Sequence, residues 1–303
     1  MSPFFSGQRH LGLVLSTIGW FILSFITIFL PQQVNLYEST GLINLFFFHF
    51  AIVGIFFIFG IPYGRKFFVC NNPRLILLRG TLAVLSFFGF IYARNWSTNI
   101  DHSVLYSIDP LWVVLLLLMA NYKITKLSLV GIAFSLIGLG VIYYFNANGW
   151  RDLQGFTFGI SSGAALAIII LITYSLIKTD NTSRIGFYQG VIGCVFSLCL
   201  LFYFFMNKNV IYPPLHEIFI SIFLGCAFAF SLFCFIQSAF YVEAYAIGAT
   251  GYSLIFFTEI FNWMLSKELL PLSSLIGISL IVFGGIKVVL GTYFAEEKKR
   301  FSM

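Results

Sequence analysis

The chain has 303 residues, of which 59% are hydrophobic and 9% are charged, against about 25% charged residues in ordinary soluble domains. A mean hydropathy of +0.95 excludes a soluble domain with one buried core and a polar surface. The formal net charge of +6 does not call for a nucleic-acid partner, because basic residues placed at one side of a membrane account for it.

Apolar segments recur along the whole chain, and most are close to the roughly 20 residues that a helix needs to cross the hydrocarbon layer. Backbone polar groups must be paired within the segment in lipid, so segments of this kind cross as helices. We therefore predict an all-α polytopic membrane protein with ten transmembrane helices. The predicted spans are 11–30, 41–61, 74–93, 100–120, 127–146, 154–177, 185–206, 217–240, 246–266 and 272–294.

The basic residues indicate how these spans are oriented. With a cytoplasmic N-terminus, 13 of the 17 basic residues fall at the cytoplasmic side, as the positive-inside rule requires. We therefore expect both termini to be cytoplasmic. The first span is too long for a signal-peptide core and no small-residue cleavage site follows it, so we expect it to be retained. The outer segments hold Arg94, Arg151, Lys208 and Lys267.

The chain also contains an internal repeat. A constant shift of 146 residues superimposes the fourth and fifth predicted spans on the ninth and tenth. This internal similarity predicts that the chain divides into two five-helix repeats, residues 1–147 and 148–303. Because five is odd, the second repeat enters the membrane from the opposite side, and inverted repeats of this kind hold their substrate site near the midplane. The matched positions are Tyr106 with Tyr252, Ser107 with Ser253, Gly131 with Gly277 and Gly138 with Gly284.

Two acids lie inside predicted spans. The stretch VLYSIDPLWVVLLLLM holds Asp109, and an ionised carboxylate at the bilayer centre costs about 2.5–3.5 kcal/mol on insertion scales. On a helix Tyr106 and Asp109 share one face, as do Tyr252 and Glu259 on the ninth span. If all four face inward, the cavity is aromatic and acidic, which favours a cationic group on the substrate.

Gln237 and Asn262 are further candidates to line this cavity. A structural role for Asp109, held by a neighbouring helix or a tyrosine hydroxyl, stays open. Glu259 lies nearer the outer side, where water could reach it. Either acid is also a candidate to carry a coupling proton.

The segment LLRGTLAVLSFFGFIYARNWSTNIDHSVLYSIDPLW resembles the third-to-fourth helix region of the EamA-type transporters of the drug/metabolite transporter superfamily. The resemblance depends on Arg79-Gly80, Tyr92-Ala93 and the central Pro110, and in the second half on Glu268 and Gly277. It implies a multi-pass carrier of small metabolites in the cell (inner) membrane, with a cavity between the first, third, fourth, sixth, eighth and ninth helices. By their positions in the family's pattern, Trp20 and Tyr92 are further candidates to line this cavity.

We therefore expect a secondary-active carrier of a small metabolite that bears an amine or sulfonium group, of the amino-acid or S-adenosylmethionine type. A carrier of another class such as nucleotide-sugars, a channel, and a non-transporting membrane protein are the alternatives. No phosphate-binding loop, Ser-His-Asp arrangement or metal-ligand spacing is readable, so we expect no enzyme activity, cofactor or metal. The predicted partners are the small-molecule substrate and the lipid bilayer; the oligomeric state stays open.

Overall fold

Long helices make up the part of the chain that the computed structural model describes, which comprises residues 8–94, 109–119, 125–146, 153–207, 211–242, 244–266 and 272–300. Within these ranges no β-strand forms, as the all-α prediction requires. A 3₁₀ segment, Ile61–Phe68, follows the second helix. The helices are α1 Arg9–Gln33, α2 Ser39–Gly60, α3 Pro73–Arg94, α4 Asp109–Met119, α5 Lys126–Asn146, α6 Leu153–Leu176, α7 Thr182–Asn207, α8 Leu215–Ser238, α9 Ala244–Thr250, α10 Tyr252–Ser266 and α11 Leu272–Arg300.

Several helix starts follow from local sequence. Pro73 opens α3, where its fixed φ suits the first helical position and its missing N–H costs nothing. Asn181 precedes α7, and its Oδ1 accepts a hydrogen bond from the Arg184 backbone N–H at 2.8 Å. Thr125 precedes α5, and its Oγ1 accepts a bond from the Ser128 N–H at 3.1 Å. Both side chains thus cap backbone donors that the first turn leaves unpaired.

Six described helices are long and apolar enough to cross a bilayer, which supports the prediction of a membrane protein. Each predicted span other than the fourth and ninth contains one described helix. The first nine residues of the fourth predicted span lie outside the described residues. The six segments are His10–Leu30, Ser39–Phe68, Pro73–Ala93, Thr157–Leu176, Thr182–Met206 and Leu215–Ser238.

The ninth predicted span is not one continuous helix, because α9 and α10 are separated by a turn at Gly251. The Gly251 N–H donates to the Gly248 carbonyl at 2.8 Å. A Cβ at position 251 would lie 2.8 Å from that carbonyl oxygen and 3.2 Å from both Asp109 Oδ1 and Trp20 Cζ2. Because a real Cβ would crowd all three, glycine permits three elements to meet at this turn.

Helices α5 and α11 pack against each other backbone to backbone. A Cβ at Gly131 would lie 2.5 Å from the Gly284 carbonyl oxygen, and a Cβ at Gly138 would lie 2.6 Å from the Gly277 carbonyl oxygen. The contacts run in opposite directions along the two helices, which are therefore antiparallel. Small residues permit this close approach, as they do between helices in lipid.

Three other helix pairs are antiparallel by the same reasoning: α2 with α7, α1 with α8, and α3 with α6. In the α1–α8 pair, the Ser231 hydroxyl donates to the Gly19 carbonyl at 2.8 Å. In the α3–α6 pair, the Ser86 hydroxyl donates to the Ser162 carbonyl at 2.9 Å. The largest apolar cluster, with Phe48 at its centre, draws its residues mainly from these six helices.

One end of the bundle is held by a buried ion pair. Arg184 Nη1 lies 2.6 Å from Asp180 Oδ1. The same guanidinium donates from Nε to the Phe67 carbonyl at 2.9 Å and from Nη2 to the Lys66 carbonyl at 2.7 Å. Asp180 Oδ1 also accepts the Asn71 backbone N–H at 3.1 Å. This network joins the 3₁₀ segment to the start of α7.

Candidate functional site

A cavity lies between α1, α3, α6 and α8, with α7 and α9 adding one residue each. It comprises about 750 Å³ of space, its mouth included. Most of its lining is apolar, and aromatic rings contribute from several helices. The aromatic residues are Trp20, Phe87, Phe228 and Phe235.

Arg79 is the charged side chain among the described residues that line this cavity. It is 3% exposed, and its position six residues into α3 places the guanidinium between helices. Its Nε donates to Thr173 Oγ1 and its Nη1 to Gln189 Oε1, each at 2.6 Å. The Thr173 hydroxyl in turn donates to the Ile169 carbonyl at 2.6 Å, so the guanidinium is held in a fixed orientation by α6 and α7.

The other polar groups in the lining are already bonded within the protein. The hydroxyls of Ser86 and Ser231 donate to main-chain carbonyls. Trp20 Nε1 donates to Thr250 Oγ1 at 3.2 Å. The cavity therefore presents apolar surface to a ligand, with a guanidinium as its strongest polar group among the described residues.

Asp109 lies beside the cavity, at the turn between α9 and α10. Its side chain is fully buried, and neither carboxylate oxygen accepts a hydrogen bond from another described residue. The Oδ1 atom and the Trp20 ring flank the same glycine, Gly251. Trp20 lines the cavity and also contacts the Phe235 ring edge-on at 4.6 Å between centroids.

The site residues predicted on the ninth span lie at different points along α10. Tyr252 is buried with Leu111, Ile255, Ile278 and Ile281, in an apolar cluster of α4, α10 and α11. Glu259 and Asn262 lie further along α10. Glu259 is 2% exposed, and Asn262 is half-buried. None of the three is in the lining of the cavity described above.

The remaining predicted residues are spread over the bundle. Tyr92, near the end of α3 away from Arg79, contacts the Phe158 ring at 4.5 Å between centroids. Gln237 is half-buried near the end of α8, between lining residues 236 and 239. Tyr106 lies outside the described residues. Trp20 is therefore the member of the predicted set that lines this cavity.

Arg79 was not among the candidate site residues, because its position near the cytoplasmic end of the third span suggested a topological charge. A signal was nevertheless present in the sequence. Arg74 opens the segment and is exposed, whereas Arg79 lies more than a turn further in, where ionisable residues usually face the bundle interior.

Among the described residues, no three His, Cys, Asp or Glu side chains come together as metal ligands. Their arrangement offers instead an apolar cavity, one oriented guanidinium, and a buried carboxylate that approaches the same glycine as the Trp20 indole. Pockets of this composition bind small molecules, since a few placed polar groups fix orientation while apolar surface supplies area.

These features define a class: a bundle of long apolar helices around an internal cavity, in which six of the described helices are long and apolar enough to span a membrane. No family model matches the chain, and no curated protein matches it. A solved structure, described as "Crystal structure of protein", is similar with a TM-score of 0.72 and 12% identity, covering 95% of this chain and 98% of that chain. At this identity the likeness shows the fold alone, an architecture already seen in a solved structure.

Proposed function

We propose that this protein is an EamA-type secondary carrier, which moves a small amine- or sulfonium-bearing metabolite across the cell (inner) membrane by alternating access. The proposed architecture has ten spans in two inverted repeats, and both termini are cytoplasmic. Asp109 carries the proposal, because an acid this buried is expensive in lipid and none of the described residues outside it donates a hydrogen bond to its oxygens.

The helix contacts support the inverted repeat. In the proposed repeat, the counterpart of α1 is α6 and the counterpart of α3 is α8. Exchanging each helix for its counterpart therefore turns the α1–α8 pair into the α3–α6 pair, and both pairs are in contact. The pairs α2–α7 and α5–α11 each join a helix to its own counterpart. Antiparallel packing of counterparts is what two halves related by inversion would give, and inversion is the arrangement of many secondary transporters.

The glycines support the same relation. The repeat matches Gly131 with Gly277 and Gly138 with Gly284. Across the α5–α11 contact, Gly131 meets Gly284 and Gly138 meets Gly277. Each contact becomes the other when the halves are exchanged, as a pseudo-two-fold axis through this helix pair requires.

The amine preference is supported by the pairing of a carboxylate with an indole at Gly251. An ammonium group is attracted to an aromatic face by about 0.5–2 kcal/mol, and a carboxylate adds a directional, charge-assisted hydrogen bond. In the proposed cycle, movement at this turn gives the substrate access to Asp109. The break between α9 and α10 is a natural site for such movement, since discontinuous helices form the substrate sites of many transporters.

Counterflow in proteoliposomes tests the carrier. Vesicles loaded with unlabelled S-adenosylmethionine or L-phenylalanine should accumulate the labelled compound transiently, which a channel would not do. We expect Asp109→Asn to lower this exchange at least about tenfold, as expected when one member of a buried charge pair is lost.

Glu38→Gln is the matched control, because it removes a carboxylate from an exposed loop and should leave exchange unchanged. Equal exchange in wild type and Asp109→Asn would remove Asp109 from the mechanism. Absence of exchange with every amine, sulfonium and nucleotide-sugar tested would favour a non-transporting membrane protein.

A further inference from the structure

We infer that Arg79 is the binding site for a carboxylate on the substrate, so that the transported molecule carries an anionic group attached to an apolar body. This inference rests on the proposed carrier function and specifies its substrate. It assigns to Arg79 a role that neither membrane topology nor helix packing requires.

The guanidinium has unused donors. Arginine has five N–H groups, and the hydrogen bonds to Thr173 and Gln189 use one on Nε and one on Nη1. Within the described part of the chain, Nη2 has no acceptor and no carboxylate forms an ion pair with Arg79. Nη1 and Nη2 together present the fork that a carboxylate engages with two parallel hydrogen bonds.

Orientation of the fork is already provided by the protein. Thr173 and Gln189 lie on different helices and hold the guanidinium from two directions. A ligand therefore meets a donor pair whose rotamer is fixed before binding, which lowers the entropic cost of association. A purely topological arginine would instead reach toward water, as long basic side chains do at membrane interfaces.

The rest of the lining indicates what the carboxylate is attached to. Between Arg79 and Trp20 the cavity is bounded by rings and aliphatic side chains, including Phe87, Phe228 and Leu166. The serine hydroxyls in this wall donate to main-chain carbonyls. This surface suits an apolar or aromatic body and offers little to a sugar or a nucleotide.

Arg79 and Asp109 lie on different helices, α3 and α4. Arg79 is anchored to α6 and α7, whereas Asp109 and Trp20 meet at the turn between α9 and α10. A substrate with a carboxylate at Arg79 and an amine toward Trp20 and Asp109 would neutralise both charges at once. The combined chemistry is that of a zwitterion with an apolar body.

Three probes with the same phenyl ring separate the two charges: L-phenylalanine, 3-phenylpropionate, which lacks the amine, and phenethylamine, which lacks the carboxylate. Binding is measured by titration calorimetry on purified protein. We expect Arg79→Gln to weaken the binding of L-phenylalanine and 3-phenylpropionate at least about thirtyfold, as loss of one partner of a buried charge pair does. The affinity for phenethylamine should stay within about twofold of wild type.

Asp109→Asn should have the opposite pattern: the binding of L-phenylalanine and phenethylamine should weaken, and the affinity for 3-phenylpropionate should be unchanged. Lys178→Gln is the matched control, because it removes a positive charge from the exposed surface at the same end of the bundle and should change none of the three affinities. Should Arg79→Gln fold poorly, Arg79→Lys serves instead. Lysine keeps the positive charge but lacks the paired donors of the guanidinium, so it should weaken the binding of the two carboxylate probes selectively.

Equal binding of 3-phenylpropionate to wild type and Arg79→Gln would overturn the inference, as would absence of binding of both carboxylate probes to wild type. The carrier proposal has a separate readout in the counterflow assay. Counterflow of L-phenylalanine that is unaffected by Arg79→Gln would refute the carboxylate site and leave the carrier intact. Binding of carboxylates through Arg79 without exchange would refute the carrier and leave the site.

Discussion

Two buried arginines in this protein have opposite surroundings. Arg184, at one end of the bundle, contacts the Asp180 carboxylate and two main-chain carbonyls. Arg79, inside the cavity, contacts a hydroxyl and an amide oxygen, both neutral. The two side chains are similarly buried, at 8% and 3% exposure, so burial alone does not separate them. The difference lies in whether the fold supplies a counter-ion.

A buried charge with its counter-ion is a structural element, because each member compensates the other's desolvation. A buried charge without one is a cost that the fold carries, and such groups persist where they serve a ligand. The comparison therefore predicts that one arginine holds the structure together and that the other is retained for binding. Mutational stability measurements can break or sharpen this comparison.

The largest loss of stability is expected when Arg184 is replaced. Replacing it by methionine leaves Asp180 as a buried carboxylate without its partner, and breaking a buried pair in this way costs about 3–5 kcal/mol. The free energy of unfolding is measured by denaturant titration in mixed micelles.

Arg65→Met is the matched control, because Arg65 lies in the same 3₁₀ segment that Arg184 contacts but is exposed. Its loss should change stability by less than about 0.5 kcal/mol. Equal effects of the two substitutions would mean that the Arg184 network does not stabilise the bundle.

A smaller effect is expected for Thr173→Val. The variant removes the acceptor of the Arg79 Nε–H and leaves that donor buried, at a cost of about 1–3 kcal/mol. Ser175→Ala is the control: Ser175 is exposed on the same helix and its hydroxyl also donates to the carbonyl four residues earlier, at 3.4 Å. If both variants lose the same stability, the Arg79 contact contributes nothing and the loss reflects the helix alone.

Hydropathy was sufficient to predict the helices of the bundle, because lipid leaves a long apolar segment little choice of secondary structure. It was not sufficient at Gly251, where the apolar pattern continues through a turn that lies close to Asp109 and Trp20, residues distant in the chain. Trp20 could be selected in advance as a lining residue. Arg79 was not, because its burial depends on α6 and α7, more than 90 residues away in the chain.

The smallest change in stability is expected for Arg79→Met, even though the side chain is the more buried of the two arginines. The substitution loses two hydrogen bonds but also relieves the desolvation of a charge that no described carboxylate offsets. Replacing buried ions by apolar residues of similar volume is often neutral or stabilising. We therefore expect a free energy of unfolding within about 1 kcal/mol of wild type, measured as for Arg184→Met.

The same variant should lose the added stability that saturating 3-phenylpropionate gives the wild type, because a ligand stabilises a protein only to the extent that it binds the folded state. A loss of 3 kcal/mol or more without ligand would instead make Arg79 a structural residue like Arg184.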